Sequence, residues 1–270
     1  MNHVVLPVLN HFHYPLFKNK QVVVSGKNKL KRFAENKTFP NVIEPDFKEV
    51  FNTSYSMRGK WNSHFWHNSK PIVLELGCGK GEYSVNLARK YPDKNFIGID
   101  IKGARFWRGA KTAIEENIPN VAFLRSRVEF ISSLFAENEI SEIWITFPDP
   151  QKEKRRTKKR LTSARFLNMY LSILQEHGTI NLKTDSKELY AYTQYIISKN
   201  NHRIHTSSDD IYNSDIIDDI LSIQTHYETI FLKEGKPITY TQFSLTGETV
   251  EPPILECKEI VKLFTETNAT

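Results

Sequence analysis

Residues 72–83 read IVLELGCGKGEY, an apolar run that opens into three alternating glycines and then into polar residues. The pattern predicts a buried strand, a tight turn and the start of a helix, the arrangement in which α/β proteins hold a nucleotide-like cofactor. Gly77, Gly79 and Gly81 allow the backbone to turn sharply and to approach a ligand closely. We therefore expect a cofactor loop here. The alternative is that these glycines serve only the turn itself.

The glycine spacing indicates which cofactor to expect. A dinucleotide site uses GxGxxG, whereas this loop is GxGxG with Glu75 before its first glycine. An acid at that position favours a ligand that carries positive charge. S-adenosylmethionine has a sulfonium, an ammonium and no phosphate, so we expect it rather than NAD. Asp100 ends the next predicted strand, 19 residues after Gly81, where its carboxylate can accept hydrogen bonds from both ribose hydroxyls.

Short apolar runs alternate with helical patterns from residue 71 onward. The alternation predicts an α/β fold with a doubly wound, Rossmann-like and mostly parallel sheet. The period-two pattern of residues 238–245 predicts a late antiparallel strand. The predicted strands are 72–76, 95–99, 121–124, 142–147, 179–183, 203–207 and 238–245; the predicted helices are 83–90, 104–116, 129–135, 163–176 and 186–200, the last capped by Asp185.

Composition divides the chain into two predicted regions. Residues 1–70 are rich in aromatic residues and hold eleven Lys/Arg against four Asp/Glu, so we expect a basic extension that packs on the domain or its ligand. Residues 71–270 are expected to form the enzyme domain. They carry a net charge of −1, although residues 152–160 alone carry +6. Positive charge concentrated on an otherwise acidic body favours a nucleic acid as the ligand.

Composition also argues against several classes of protein. The chain starts MNHVVLPVLN, which lacks the basic and apolar regions of a signal peptide, and no apolar run is long enough for a membrane span. We therefore expect a cytoplasmic protein with no membrane contact and no obligate protein partner. Cys78 and Cys257 do not make a disulfide framework. No metal site is expected, because the histidines of the aromatic-rich extension are scattered and lack an acid or cysteine set; they are His11, His13, His64 and His67.

Residues 145–162 read ITFPDPQKEKRRTKKRLT, a strand followed by an acid and a basic run. Asp149 should lie at the carboxyl edge of the sheet, where open α/β folds bind ligands, and the prolines on both sides restrict its backbone. Amino-group methyltransferases carry a related Asn/Asp-Pro-Pro-aromatic motif there, but here the second proline is absent and Gln151 replaces the aromatic residue. Two simpler interpretations stay open: a turn residue for Asp149 and a solvated loop for the basic run.

Taken together, these segments resemble the bacterial tRNA (guanine-N7-)-methyltransferases, a family of class I S-adenosylmethionine-dependent methyltransferases, over residues 25–245. No single segment is specific to this family, but the segments together, in the order in which the family has them, are specific to it. The pieces are LELGCGKG from Leu74, IGID from Ile97, FPDP from Phe147 with the basic run after it, LKTD from Leu182, and THYE at residues 225–228.

The resemblance implies a role for each matching position, with Asp149 as the active-site acid. The implied cofactor positions are Glu75, Gly77, Gly79, Gly81, Asp100, Arg127 and Asp149. The implied substrate positions are Lys152, Lys154, Asp185, Thr225, His226, Tyr227 and Glu228. Arg127 departs from the family, which usually has an Asp there that accepts a hydrogen bond from adenine; backbone groups near Ser126 or Val128 are the alternative. Glu153 interrupts the expected lysine series, so either Lys152 or Lys154 is expected to reach the RNA.

The activity that the resemblance implies is methyl transfer from S-adenosylmethionine to N7 of guanine 46, in the variable loop of tRNA. Two alternative functions remain open. One is a methyltransferase acting on the amino group of a base in RNA or DNA, which the position of Asp149 suggests. The other is a catalytically inactive RNA-binding relative, for which Arg127 is the best argument.

Overall fold

The computed structural model describes residues 25–267, and the eight strands within that range form one mixed sheet. The strands are β1 (Val42–Ile43), β2 (Ile72–Leu76), β3 (Asn95–Ile99), β4 (Val121–Leu124), β5 (Ile140–Thr146), β6 (Leu174–Thr184), β7 (Arg203–Ser208) and β8 (Thr239–Ser244). Their spatial order is β1-β4-β3-β2-β5-β6-β8-β7.

In this spatial order, each pair of adjacent strands from β1 across to β6 is parallel, and β8 runs antiparallel to both β6 and β7. The predicted mostly parallel sheet with a late antiparallel strand is therefore confirmed. The predicted bounds of β2, β3 and β4 agree with the structure. Every residue of these three strands is buried, as expected for parallel strands that are covered on both faces.

The helices flank the sheet. They are α1 (Ser25–Asn36), α2 (Phe47–Val50), α3 (Glu82–Lys90), α4 (Gly103–Glu115), α5 (Ile131–Leu134), α6 (Ala164–Leu171), α7 (Lys187–Lys199), α8 (His226–Lys233) and α9 (Cys257–Thr267). A π-helical segment spans Trp61–Trp66, and 3₁₀ helices span Val128–Phe130, Lys154–Lys159 and Ile211–Asn213.

The sequence analysis did not predict β1, and β6 begins at Leu174 rather than at residue 179. Two details of the predicted helices are also wrong. The helix predicted over residues 163–176 ends at Leu171, because the chain turns to bury Ile173, whose carbonyl accepts a hydrogen bond from the Ile140 N–H at 3.0 Å. The cap of α7 is Ser186 rather than Asp185, since the Ser186 hydroxyl accepts from the Leu189 N–H at 3.2 Å.

The hydrophobic core lies on both faces of the sheet. Alternate residues of a strand point to opposite faces, so Leu74 and Leu76 of β2 belong to one buried cluster while Val73 belongs to the other, together with Phe96 and Trp144. Because both clusters are extensive, the strands are held firmly and their carboxyl ends present the following loops in fixed positions.

The described part of the predicted extension, residues 25–70, packs on this sheet. β1 adds an edge strand beside β4, and α1 lies on α4, where the Asn36 amide donates to the Gly103 carbonyl at 3.0 Å. Trp61 is fully buried and its indole N–H donates to the Leu134 carbonyl at 3.0 Å. The domain boundary at residue 70 stays a prediction, and the contribution of Trp61 to the core offers a way to test it.

None of the helices in residues 25–267 is long and apolar enough to cross a membrane. The same range contains no group of three or more His, Cys, Asp or Glu side chains that could hold a metal ion. His11 and His13 lie outside the described residues. Cys78 is buried with a free thiol.

If the segment before residue 70 shares the core, Trp61→Ala should lower the free energy of unfolding by about 3–5 kcal/mol, because the lost indole leaves a cavity and a carbonyl without its donor. Phe51→Ala is the control. Phe51 lies in the same segment but is 49% exposed, so a loss below about 1 kcal/mol is expected. Urea unfolding followed by circular dichroism measures both, and a small effect at Trp61 would contradict the shared core.

Candidate active site

The carboxyl ends of β3, β2 and β5 lie side by side, and the loops after them form the candidate site. Because these neighbours are parallel, they lead to Asp100, Gly77 and Phe147 at a single edge of the sheet. The Gly77 N–H donates to the Ile99 carbonyl at 2.8 Å, and an Asp100 oxygen accepts from the Gly79 N–H at 3.1 Å. Asp100 is thereby held against the glycine loop.

Two of the loop glycines have different surroundings, although both have positive φ angles, 76° at Gly77 and 74° at Gly81. This left-handed region strongly favours glycine. A Cβ at Gly81 would collide with the ring of Phe123, so that glycine permits close packing. A Cβ at Gly77 would meet no atom within 4 Å. The backbone at Gly77 therefore borders open space that a ligand can enter.

Glu75 lies behind the glycine loop and is only 3% exposed. One carboxylate oxygen accepts from the Ser84 N–H at 2.9 Å and from the Ser84 hydroxyl, and the other accepts from the Thr146 hydroxyl at 2.7 Å. Burial raises the pKa of Glu75 to about 7, against the lowering effect of these hydrogen bonds. Glu75 thus supports the loop from behind, and its carboxylate oxygens are already occupied.

The loop at residues 147–151, which carries Asp149, has an unusual backbone. Phe147 and Gln151 have φ angles of +48° and +46°, although neither is glycine, a conformation that persists only where the surroundings hold it. The Phe147 N–H donates to the Lys183 carbonyl at 2.8 Å, and the Gln151 N–H donates to an Asp149 oxygen at 3.0 Å. The other oxygen of Asp149 has no hydrogen-bond partner among residues 25–267, so the exposed acid is presented to open space.

Two cavities open at this edge, and they share a wall. The loop cavity, of about 300 Å³, lies between the glycine loop and Asp100; the outer cavity, of about 610 Å³, lies between residues 147–150 and the start of α7. Both volumes are typical of ligand sites. The residues that border both cavities are Arg105, Phe147, Pro148, Asp149 and Tyr227. Asp149 therefore stands between the two cavities.

Residues 225–228, the THYE segment, begin α8 with a capping box. The Thr225 hydroxyl accepts from the Glu228 N–H at 3.2 Å, and the Glu228 carboxylate accepts from the Thr225 N–H at 3.4 Å. Thr225 borders the loop cavity and Tyr227 borders both cavities, whereas His226 borders neither. The His226 N–H instead donates to the Glu82 carboxylate at 2.9 Å. The start of α8 is therefore joined to α3 beside the loop cavity.

Glu228 is fully buried in an ion pair, with 2.7 Å between its carboxylate and the Lys183 ammonium. Its carboxylate also accepts from the Tyr212 hydroxyl at 2.9 Å. Desolvation raises the pKa of Glu228 and lowers the pKa of Lys183, while each charge stabilises the other. The structure therefore does not present Glu228 to either cavity, because its carboxylate is buried. A substrate contact by Glu228 stays a prediction. The pair anchors the segment with Tyr227 to β6.

The basic run at residues 152–160 has at least four kinds of surroundings. Lys159 borders the loop cavity. Lys152 borders the outer cavity, as does Asp185. Lys154 forms an ion pair with Glu256 and borders neither cavity. Arg160 is fully buried, so it is not accessible to a phosphate. Of the two lysines left open by the sequence, Lys152 is thus the one beside the candidate site.

Arg127 borders neither cavity, contrary to the cofactor position that the resemblance implies for it. It follows β4, and β3 lies between that strand and β2 with its glycine loop. The Arg127 side chain is 56% exposed and lies 3.5 Å from the Glu129 carboxylate. The structure therefore does not bring Arg127 to the loop cavity.

Several residues that border the cavities were missed by the sequence analysis, among them Arg105 and Lys236. Arg105 borders both cavities from the first turn of α4. The sequence could have predicted this position, because Arg105 follows Asp100 by five residues at the same strand-to-helix junction. Lys236 borders the outer cavity and lies 3.8 Å from the Asp185 carboxylate. No sequence pattern marks Lys236, because Lys236 and Asp185 are brought together only by the antiparallel end of the sheet.

Comparisons with known proteins agree with this geometry. A family model described as "Putative methyltransferase" matches residues 69–241. The fold superposes on the crystal structure of the 16S rRNA methyltransferase KamB with a TM-score of 0.50 and 12% sequence identity, covering 68% of this chain and 89% of that chain. The family model therefore defines a methyltransferase and the superposition supports its Rossmann-like fold, as the sequence predicted.

More similar relatives narrow the class to a family. A protein of Christiangramia forsetii is 53% identical over 223 residues, which cover 82% of this chain and 100% of that protein. A protein of Bacteroides fragilis is 49% identical over 231 residues, 85% of this chain and 91% of that protein. Both relatives are named tRNA (guanine-N(7)-)-methyltransferase. The chain belongs to this family, which confirms the resemblance seen in the sequence.

The buried carboxyl of Glu75 should make stability depend on pH. Its pKa rises from 4.5 when unfolded to about 7 when folded, so folding favours the protonated form. The stabilisation is complete below pH 4.5 and is lost as the pH rises through 7. Between pH 4.5 and 8 the wild type should therefore lose about 3 kcal/mol relative to Glu75→Gln, which cannot titrate.

Urea unfolding at several pH values measures this difference, with Glu137→Gln as the control at an exposed position. A difference between wild type and Glu75→Gln that does not vary with pH would show that burial does not perturb this carboxyl.

Proposed function

We propose that this protein transfers a methyl group from S-adenosylmethionine to N7 of guanine 46 in the variable loop of tRNA. The observation that carries the proposal is the position of Asp149 on the wall between the loop cavity and the outer cavity. A donor in one cavity and an acceptor in the other would meet beside this carboxylate, which is the positioning that group transfer requires. The names of the relatives support the same reaction.

The loop cavity fits the chemistry of S-adenosylmethionine. Open space beside Gly77 allows close approach to the backbone, and Asp100 has further lone pairs for ribose hydroxyls. Acidic and basic side chains both border the cavity, among them Glu82 and Lys80, which suits a methionine group that carries an ammonium and a carboxylate. We assign cofactor binding to Gly77, Gly79, Asp100 and Asp149, with Gly81 shaping the turn. Glu75 adds negative charge from behind the loop when it is ionised.

The chemistry needs orientation more than proton transfer. The bound cofactor supplies a methyl group on a positively charged sulfur. Guanine N7 has a lone pair and no proton, so no side chain must act as a base to create the nucleophile. Asp149 can instead accept a hydrogen bond from the amino edge of the guanine and oppose the positive charge that the base acquires. The fixed conformation of residues 147–151 keeps the carboxylate oriented for that task.

The outer cavity fits a base and its phosphates. The rings of Phe147 and Phe231 lie with centroids 5.8 Å apart, and Tyr227 adds a third aromatic face. Aromatic rings stack well on bases taken out of a helix. Lys152 at the same cavity, with the exposed lysines of the basic run, would neutralise phosphates, which contributes affinity rather than base identity. We therefore place the target guanine in the outer cavity.

Two transcripts of one tRNA test the reacting atom and its position together, one with guanine and one with 7-deazaguanine at position 46. Methyl-labelled S-adenosylmethionine should label only the first, because the second has carbon in place of the nucleophilic nitrogen. Cleavage by borohydride and aniline should then map N7-methylguanine to position 46. Label in the 7-deaza transcript without cleavage would indicate methylation of an amino group instead, and cleavage at another guanine in either transcript would contradict the assigned position.

Asp149→Asn should lower kcat by about 10²–10³-fold, the usual loss when one group that stabilises developing charge is removed. The Kd for tRNA should stay within about twofold, because phosphate contacts dominate affinity. Single-turnover methylation and filter binding measure the two quantities. Asp93→Asn, at an exposed position near the amino end of β3, is the control. A kcat for Asp149→Asn near that of the wild type would remove this carboxylate from the mechanism.

A further inference from the structure

Arg160 ends the basic run, but its position differs from that of the run's other members. Its side chain is fully buried, whereas Lys158 and Lys159 immediately before it are exposed. A buried guanidinium is costly unless hydrogen bonds and an opposite charge satisfy it. Arg160 therefore needs hydrogen-bond acceptors and an opposite charge in the protein interior, whereas its exposed neighbours in the run do not.

The partners of Arg160 lie around the loop that carries Asp149. The Arg160 Nε–H donates to the Pro150 carbonyl at 2.9 Å, and Nη2 lies 3.5 Å from the Gln151 carbonyl. Nη2 also donates to the Glu188 carboxylate at 2.7 Å. The guanidinium stacks over the Tyr192 ring, 4.5 Å from its centroid. One planar side chain thus connects the loop to α7, on which Glu188 and Tyr192 both lie.

The loop needs such a connection. Phe147 and Gln151 flank the Pro-Asp-Pro segment, and both have positive φ without being glycine. At the first end, the hydrogen bond from the Phe147 N–H to β6 holds the backbone. At the second end, the two carbonyls that Arg160 approaches belong to the residues directly after Asp149. Without the guanidinium, these carbonyls lose the group that defines their direction, and the backbone is free to leave its strained conformation.

We propose that Arg160 is a positioning residue for methyl transfer: its guanidinium, held by Glu188 and Tyr192, fixes the backbone after Asp149 and so orients the Asp149 carboxylate between the two cavities. The proposal rests on the proposed function, because it assigns Arg160 a part in the same reaction. It also separates Arg160 from the rest of the basic run, whose exposed members meet the phosphates of tRNA.

Arg160→Lys tests the proposal, because lysine keeps the positive charge but loses the planar fork that reaches two carbonyls and a carboxylate at once. We expect kcat at saturating tRNA to fall at least about tenfold, since misplacing a reacting group by a fraction of an ångström is costly. The Kd for tRNA and its dependence on salt should remain those of the wild type. Single-turnover methylation of the guanine-46 transcript and filter binding over a range of salt concentrations provide the readouts.

Lys158→Ala is the matched control from the same run. It should weaken tRNA binding and reduce the salt slope by about one unit per lost phosphate contact, the opposite signature to that of Arg160→Lys. A kcat for Arg160→Lys equal to that of the wild type would overturn the positioning role. Weaker tRNA binding with a reduced salt slope, as expected for Lys158→Ala, would overturn it too. A wild-type protein that does not methylate the guanine-46 transcript would overturn the proposed function itself, which keeps the two failures distinct.

If thermal unfolding shows that Arg160→Lys does not fold, Tyr192→Leu tests the same contact from the other side. It removes the ring beneath the guanidinium and leaves every charge in place. A lower kcat with unchanged tRNA affinity supports the proposal, and an unchanged kcat contradicts it.

Discussion

The parallel pairing of β3, β2 and β5 is the constraint on which the rest of the site depends. Parallel neighbours end at the same edge of a sheet, so residues far apart in sequence meet there without any direct attraction between them. This pairing brings Gly77, Asp100 and Asp149 to one edge, where hydrogen bonds then hold Asp100 against the glycine loop. The buried apolar residues on both faces of the sheet keep the strands in register, and that register decides which backbone N–H groups face the Asp100 carboxylate.

The antiparallel end of the sheet adds the second half of the site through a different interaction. β6 and β8 do not themselves border the cavities. β6 carries the buried Lys183, whose ion pair with Glu228 holds the start of α8 against the sheet. A buried ion pair adds little net stability, but it specifies one arrangement, because either charge alone would be costly. Tyr227 is placed between the two cavities by this arrangement.

The basic run shows how similar residues acquire different tasks. Charge alone would give all seven Lys and Arg residues of 152–160 the same role. The structure instead places Lys152 at the outer cavity, Lys154 beside Glu256 and Arg160 in the interior. The proposed phosphate-binding surface and the proposed internal support of the Asp149 loop therefore lie within nine residues. Mutations across this run should be interpreted one position at a time.

The sequence by itself determined seven of the eight strands, the glycine turn and the positions of Asp100 and Asp149 after their strands, because apolar periodicity and turn residues act over a few neighbouring positions. It also identified the family, since the motifs occur in order. The tertiary structure decided which charges are accessible: Glu228 and Arg160 are buried, Arg127 borders neither cavity, and Arg105 borders both. Burial and pairing depend on what packs against a side chain from distant parts of the chain. Local pattern does not contain that information.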